Sequence, residues 1–253
     1  MSFVLVQKEH VAPSADQLKR AFKLVKGLTE ADATKLANDA YGVLIKNLAQ
    51  PDALKLQAAL ASEGVATEVV ETARFPKLVD AKFIKRAEMK PDALALLDPI
   101  GRPLAVPWEH IVLIAAGCVG HFGVSSTTKE ERVLAYDPLY GVHTEVVTET
   151  RHKVERDAQW LVDMFLAGGA MRFQVEAESF LFKFTFDRPE LDLAGKVALL
   201  VQLLAQHAPR AVLNRGAAAL CASPARAFSY AGKNYLFEES QWLLWRMMQV
   251  AGE

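Results

Sequence analysis

The chain has 253 residues, of which 51% are hydrophobic, and its 29 basic and 30 acidic residues nearly cancel. This length allows one large domain or two ordinary ones with sizeable cores. The balanced charge gives no overall signature for nucleic acid or an anionic membrane. Two isolated cysteines, Cys118 and Cys221, predict free thiols in a reducing compartment. Residues 1–8 lack the features of a secretory signal, so we expect a cytoplasmic protein without a membrane span.

The first seventy residues predict the element order β-α-α-β-α-β. Short apolar runs predict strands at residues 3–6, 43–48 and 65–70. Helix starts are predicted at Ser14, with Gln17 three residues later, and at Thr29. A third helix has Pro51 at its start and Gly64 just past its end. Three helices on one face of three strands would form a small two-layer α/β sandwich over residues 1–73.

Residues 19–70 resemble the C-terminal domain of the bacterial ribosomal stalk protein. The resemblance is clearest in Leu24-Val-Lys-Gly-Leu28 and in Ala58-Ala-Leu-Ala-Ser-Glu-Gly-Val-Ala-Thr-Glu-Val-Val70. It implies a ferredoxin-like fold. The stalk domain binds translation factors through a lysine-bearing stretch, whereas residues 29–34 here are acidic and contain no lysine. A generic partner-binding or dimerising module is therefore favoured over a translation-associated factor.

After a linker around Pro76, the pattern predicts seven strands and a helix. The prolines at 103 and 107 predict that residues 104–106 form a sheet edge or a strand that is ended by a bend. Strict alternation of Phe180, Phe182, Phe184 and Phe186 predicts the last strand. Residues 118–157 interrupt the series as a glycine-rich loop and a hairpin, which we interpret as an insertion. The strands are expected near residues 83–88, 93–97, 104–107, 110–117, 160–167, 171–176 and 179–186, before a helix ending near residue 207.

This succession resembles bacterial pleckstrin-homology-like domains, in which a glycine, a short strand and a Pro-Trp-x-x-Ile stretch recur. Here these are Gly101, residues 104–106 and Pro107-Trp-Glu-His-Ile111. The resemblance implies a seven-stranded barrel with a helix over residues 80–210, in a family that binds lipids, peptides or proteins and is generally not enzymatic. The fold class is thus α+β. Lipid-headgroup binding is disfavoured because the basic cluster Lys82, Lys85, Arg86 and Lys90 includes Glu88 and resembles a solvated face.

The tail, residues 211–253, predicts helices that pack on the barrel. The final helix carries an apolar stripe that includes Leu236, Trp242, Leu243, Trp245, Met247 and Met248. Docking on a sheet is the first interpretation. A partner-binding face is the alternative, since tryptophan and methionine are enriched in interfaces.

Residues for catalysis are sparse. The chain has no Gly-x-x-x-x-Gly-Lys-Ser/Thr loop and no Gly-x-Ser-x-Gly elbow. Cys118 and His121 have ligand-like spacing, and His143 or His152 could join them, but no paired metal-binding knuckle or orienting carboxylate accompanies them. Glu176 and Glu178 flank a predicted turn and are expected to be solvated. We therefore assign no catalytic, cofactor-binding or metal residue and no cofactor.

The hypothesis that follows is a non-enzymatic binding or scaffolding module with a protein partner or self-association. The alternative is a small-ligand-binding protein or enzyme that uses the loop around Cys118 and His121. A translation-associated factor is the third hypothesis.

Overall fold

The computed structural model describes residues 1–25, 27–97, 102–137, 141–223 and 228–251; for residues 121–137, 141–157, 168 and 251 it describes secondary structure only. The chain divides into two compact units, residues 1–119 with 159–253 and residues 120–158. The smaller unit nearly coincides with the insertion predicted at 118–157. The domain boundary predicted between residues 73 and 80 lies inside the larger unit.

The N-terminal part has the predicted element order. Its elements are β1 (Phe3–Gln7), α1 (Ala15–Phe22), α2 (Glu30–Asp39), β2 (Val43–Leu48), α3 (Gln50–Ser62) and β3 (Thr67–Glu71). The strands form an antiparallel sheet in the order β2-β1-β3. Both predicted caps form, because Ser14 with Gln17 and Thr29 with Asp32 exchange side-chain and backbone hydrogen bonds. Leu5 of β1 packs with the helices, while Val4 and Val6 belong to a different hydrophobic cluster.

Two further sheets lie in the rest of the chain. The remaining elements are β4 (Ala81–Phe83), β5 (Arg86–Met89), β6 (Ala93–Leu97), β7 (Pro103–Pro107), β8 (Ile111–Asp137), β9 (Gly141–Leu166), β10 (Arg172–Glu176), α4 (Leu193–His207), β11 (Val212–Leu213), α5 (Arg215–Ala222), β12 (Ser229–Tyr230) and α6 (Lys233–Ala251). One sheet has the order β11-β8-β9-β10-β4, with β12 also beside β8. The other is antiparallel, in the order β5-β6-β7. As the two prolines predict, β7 lies at an edge.

The α+β class is confirmed, but no sheet of the described residues closes into a barrel.

The strand predicted at residues 179–186 is wrong. Residues 182–184 form a turn of 3₁₀ helix instead, in which Thr185 N–H donates to the Phe182 carbonyl over 2.8 Å. Edge-on contacts between rings stabilise it, with 5.0 Å between the centroids of Phe180 and Phe182. The loop predicted after Cys118 is also wrong, because β8 continues to Asp137. The sequence also predicts turns at Asp98-Pro-Ile-Gly101 and Asp137-Pro-Leu-Tyr-Gly141. All of the first and most of the second fall on residues outside the described ranges.

One hydrophobic cluster joins three parts of the fold: the N-terminal sheet, the sheet that contains β8 and β9, which we call the central sheet, and α6. It contains Val4 and Val6 of β1, Leu113 of β8 and Phe165 of β9, all packed around residues of α6 that include Trp242. The sequence predicts separate cores on either side of residue 76, whereas these residues share one. The opposite face of the central sheet buries a second cluster with β5–β7, α4 and α5. No helix in the described part of the chain is long and apolar enough to cross a bilayer.

Candidate binding groove beside the last helix

Helix α6 buries its tryptophans and exposes its end. Trp242 and Trp245 have 0% and 5% of their surface exposed, so the predicted docking of this helix on a sheet is confirmed. The two tryptophans are therefore not available to a partner, and of the predicted partner-binding face only the methionines stay accessible. Met248 and Val250 remain 58% and 75% exposed, and Met247 is half-buried. The exposed apolar surface of this helix is therefore confined to its last turns.

A groove of about 460 Å³ runs beside these last turns. Its walls are apolar apart from one lysine, and we call it the α6 groove. A second hollow of about 350 Å³ adjoins it on the other side of Met247. The groove is lined by Pro76, Lys77, Leu78, Val79, Val112, Phe165, Gly169, Leu244, Met247 and Met248.

Polar contacts fix the walls of the α6 groove. Gln241 of α6 donates to the Pro76 carbonyl over 2.9 Å and accepts a hydrogen bond from Lys46 Nζ, also at 2.9 Å. Lys46 Nζ also lies 3.2 Å from a carboxylate oxygen of Glu238. Trp242 Nε1 donates to the Gln7 carbonyl over 2.8 Å. The helix and the segment after Pro76 are thus held in place by bonds to residues far away in sequence, so the groove is pre-formed.

The rim of the groove and its adjoining hollow is basic. Lys77 lines the groove and is exposed, while Arg246 and His10 line the hollow. Arg246 donates to the Lys8 carbonyl, which fixes its guanidinium group there. Burial, reinforced by the charge of Arg246, lowers the pKa of His10. A ligand with a negative group next to an apolar one would be complementary to this rim.

A buried polar network lies behind β8 and was missed by sequence reasoning. Asn214 caps α5 by accepting from Ala217 N–H, and it also bonds both backbone groups of Ala116. Its amide donates to the Tyr230 hydroxyl, which in turn donates to Glu239, each over 2.8 Å. Burial and Glu239 raise the pKa of Tyr230. The only signal in the sequence was the capping residue before an alanine-rich stretch.

Arg215 extends this network into an ion pair enclosed by rings. Its Nε lies 3.0 Å from a carboxylate oxygen of Glu239, which is 1% exposed. Its guanidinium carbon lies 3.9 Å from the ring centroid of Tyr41 and 4.6 Å from that of Phe228. Every charged group is thus occupied by a protein partner, and the arrangement joins α5, α6 and the N-terminal part as a structural element.

A second buried ion pair joins β9 and β10. Arg172 donates to Asp163 over 2.8 Å, and Gln174 donates to the other carboxylate oxygen over 2.7 Å. Burial raises the pKa of Asp163, while Arg172 opposes the shift. The guanidinium carbon of Arg172 lies 4.2 Å from the centroid of Phe237. Asp163 lines none of the hollows described, so this pair is also structural.

The residues weighed for catalysis do not form a site in the described part of the chain. Burial raises the pKa of Cys118, which disfavours the nucleophilic thiolate. The side chains of His121, His143 and His152 lie outside those described. Among the described residues, no three His, Cys, Asp or Glu side chains are grouped to hold a metal. Glu178 lies exposed in a turn, as expected, and its carboxylate accepts the Trp160 N–H over 2.9 Å.

The basic residues near β5 lie on the surface. Lys90 pairs with Glu88 at 2.6 Å, and the Arg86 guanidinium carbon lies 4.9 Å from the Phe184 ring centroid. Lys82 Nζ lies 3.7 Å from the sulfur of Met171. Lys82, Lys85, Arg86 and Lys90 are all exposed, as expected for a solvated face.

Comparisons of the chain with protein-family models, with curated proteins and with solved structures gave no match in any of the three.

Proposed function

We propose that this protein is a non-enzymatic binding module whose α6 groove accepts an apolar segment of a partner protein. The observation that carries the proposal is the coincidence of a pre-formed apolar groove of about 460 Å³ with exposed methionine at its edge. Methionine side chains adapt to differently shaped apolar partners, and large exposed apolar patches mark interaction sites.

The partner segment best suited to the groove is an amphipathic stretch with acidic residues beside its apolar ones. Its apolar side chains would enter between Leu78, Val112 and Met248, while its carboxylates would face Lys77 and Arg246. Helix-in-groove recognition of this kind depends on a few apolar anchors, and complementary charges raise the association rate.

We also propose a finer fold assignment for each of the two parts of the chain. The β-α-α-β-α-β order of residues 1–73 supports a ferredoxin-like, stalk-domain-like assignment. The run of strands before α4 supports a pleckstrin-homology-like ancestry for the central part, although its sheets stay open. Both folds host recognition in many proteins. The two free cysteines support a cytoplasmic location.

Two alternatives use the same groove. A second copy of this chain could dock there, which would make the protein a homo-oligomer. A small apolar ligand could also bind, because the volume lies within the range of about 300–1,000 Å³ typical of small-molecule sites. Burial raises the pKa of Cys118 and so disfavours its reactive thiolate, which gives no support to an enzyme that uses this residue. Only the N-terminal element order supports a translation-associated factor.

The test is a selection of peptides on the immobilised full chain, followed by fluorescence anisotropy with the selected peptides. Acidic amphipathic peptides should be enriched, and Met248→Glu should weaken their binding by about tenfold or more because it places a like charge at an apolar anchor. The matched control is Gln249→Glu, an exposed neighbour that does not line the groove, which should bind normally.

Equal binding by the two variants would overturn the groove as the docking site. Light scattering on the same samples separates the alternatives: a dimer that Met248→Glu converts to monomer would assign the groove to self-association instead.

A further inference from the structure

A separate hollow lies where the chain enters α4. It has a volume of about 180 Å³, and we call it the α4 pocket. The rings of Phe182 and Phe186 form part of its wall, and Lys183, Arg188 and Lys196 contribute three cations against the single carboxylate of Asp187. We propose that the α4 pocket binds a phosphate group. This proposal does not depend on the α6 groove.

The local backbone brings the cations together. In the strand predicted for residues 179–186, Lys183 would lie in an extended row with its neighbours on opposite faces. The 3₁₀ turn instead folds residues 182–184 back, and Leu181 N–H donates to the Lys85 carbonyl over 2.9 Å. Asp192 then caps α4 by accepting from Gly195 N–H at 2.7 Å, which places Lys196 at the end of the first turn of the helix. Lys183 and Lys196 thereby line one hollow.

These cations are available to a ligand. Neither Lys183 nor Lys196 has an acidic side chain within ion-pair distance among the described residues, and Arg188 has Glu190 only at 3.9 Å, with both side chains mostly exposed. Lys183 Nζ lies 5.4 Å from the Phe184 ring centroid, and the Arg86 guanidinium carbon lies 4.9 Å from the same centroid. An anion entering the pocket would therefore displace no strong internal ion pair.

The chemistry favours phosphate over a carboxylate. A phosphate group has several acceptor oxygens and more than one charge, so it can engage cations that converge from different elements. A carboxylate would satisfy fewer of them. The pocket is too small for a nucleic-acid strand, and Asp187, Glu190 and Asp192 interrupt the basic surface that such a strand would need. The phosphate could belong to a small soluble ester or to a lipid headgroup.

The test titrates inorganic phosphate into the full chain at constant ionic strength, observed by two-dimensional NMR, with sodium chloride as the blank. Shifts should centre on residues 182–196. The double variant Lys183→Ala and Lys196→Ala should weaken binding by about tenfold or more. Two exposed lysines of the N-terminal part, changed as Lys35→Ala and Lys55→Ala, give a matched control that should leave binding unchanged. Lys196→Arg should retain binding, because it keeps the charge.

A second arm measures co-sedimentation with vesicles of phosphatidylcholine alone or mixed with phosphatidic acid. Phosphate binding that depends on Lys183 and Lys196, without vesicle binding, assigns a soluble ester. Vesicle binding that depends on the same pair and on phosphatidic acid assigns a lipid headgroup. If neither probe binds, or if the double variant and its control behave alike, the proposal is overturned. Circular dichroism of each variant verifies that it is folded, as expected for substitutions of side chains that are not buried.

Discussion

His10 is a residue whose protonation opposes folding. Its ring stands edge-on to Trp242, with 4.9 Å between the ring centroids, and it faces Tyr41, whose hydroxyl donates to the His10 carbonyl over 2.7 Å. Arg246 disfavours the protonated imidazole, whereas the charge of Glu239 has a smaller, opposite effect. Burial and Arg246 together lower the pKa of His10 below its usual 6.5.

The lowered pKa predicts a small loss of stability in weak acid. The folded state binds the proton less well than the unfolded chain, so this contribution is fully present above pH 6.5 and is lost as the pH falls through the folded-state value. Urea unfolding at about pH 7.5 and about pH 5.5 measures the effect. His10→Asn should reduce the pH dependence. A pH dependence that is unchanged in His10→Asn would contradict the assignment.

At the scale of elements, the packing of α6 against the start of β2 requires a glycine. Gly42 has φ of +78°, and a Cβ built on it would collide with the ring of Trp242. The same ring buries its Nε1–H against the Gln7 carbonyl. Two effects therefore disfavour a side chain at residue 42: the positive φ of its backbone and the helix that packs against it.

Gly42→Ala should destabilise the protein by about 2–4 kcal/mol, since overpacking adds to the cost of a positive φ. Gly64→Ala is the matched control. Gly64 has φ of +77°, but no atom lies within 4 Å of the position that a Cβ would take there, so only the conformational cost applies, about 1 kcal/mol. Denaturant midpoints of the two variants separate the cost of the collision with Trp242 from the cost of the backbone conformation. Equal losses of stability would show that the Trp242 ring moves aside for the added methyl group.

Elements encoded by neighbouring residues were predictable from the sequence, and those decided by distant contacts were not. The capping pairs at Ser14 and Thr29 act within four residues, and both were predicted. The alternating phenylalanines at 180–186 fit the pattern of a strand. Hydrogen bonds within a turn and contacts between the rings nevertheless fold residues 182–184 into a 3₁₀ turn. The α6 groove could not be predicted, because its walls come from segments far apart in the sequence. The α4 pocket is formed by residues 182–196 alone, and it was missed because part of this stretch was predicted to be an extended strand.

At the scale of the whole molecule, residues 1–73 and the central sheet share a buried cluster around Trp242. Trp242 and Gln7, which bond directly, are 235 residues apart in sequence. Two domains with separate cores would unfold in separate steps. A shared cluster couples them, because loss of either part exposes apolar surface of the other.

The larger unit should therefore unfold in one transition. Urea curves followed by tryptophan fluorescence and by far-ultraviolet circular dichroism should coincide. Removal of residues 1–73 should expose Leu113 and Phe165 of the shared cluster and increase the binding of an apolar dye. Two separate transitions, or a shortened chain that binds no more dye than the full one, would support a domain boundary near residue 76.

Strand β7 has a proline at each end, opposite Leu97 and Ala93 of β6. It is the outer strand of its sheet, and Leu104 on it is 47% exposed. Prolines have no amide hydrogen to donate to an incoming strand. A strand of another molecule therefore cannot form the regular ladder of hydrogen bonds along this edge. We therefore expect the prolines to limit pairing between molecules at this edge, where an exposed leucine would otherwise favour it.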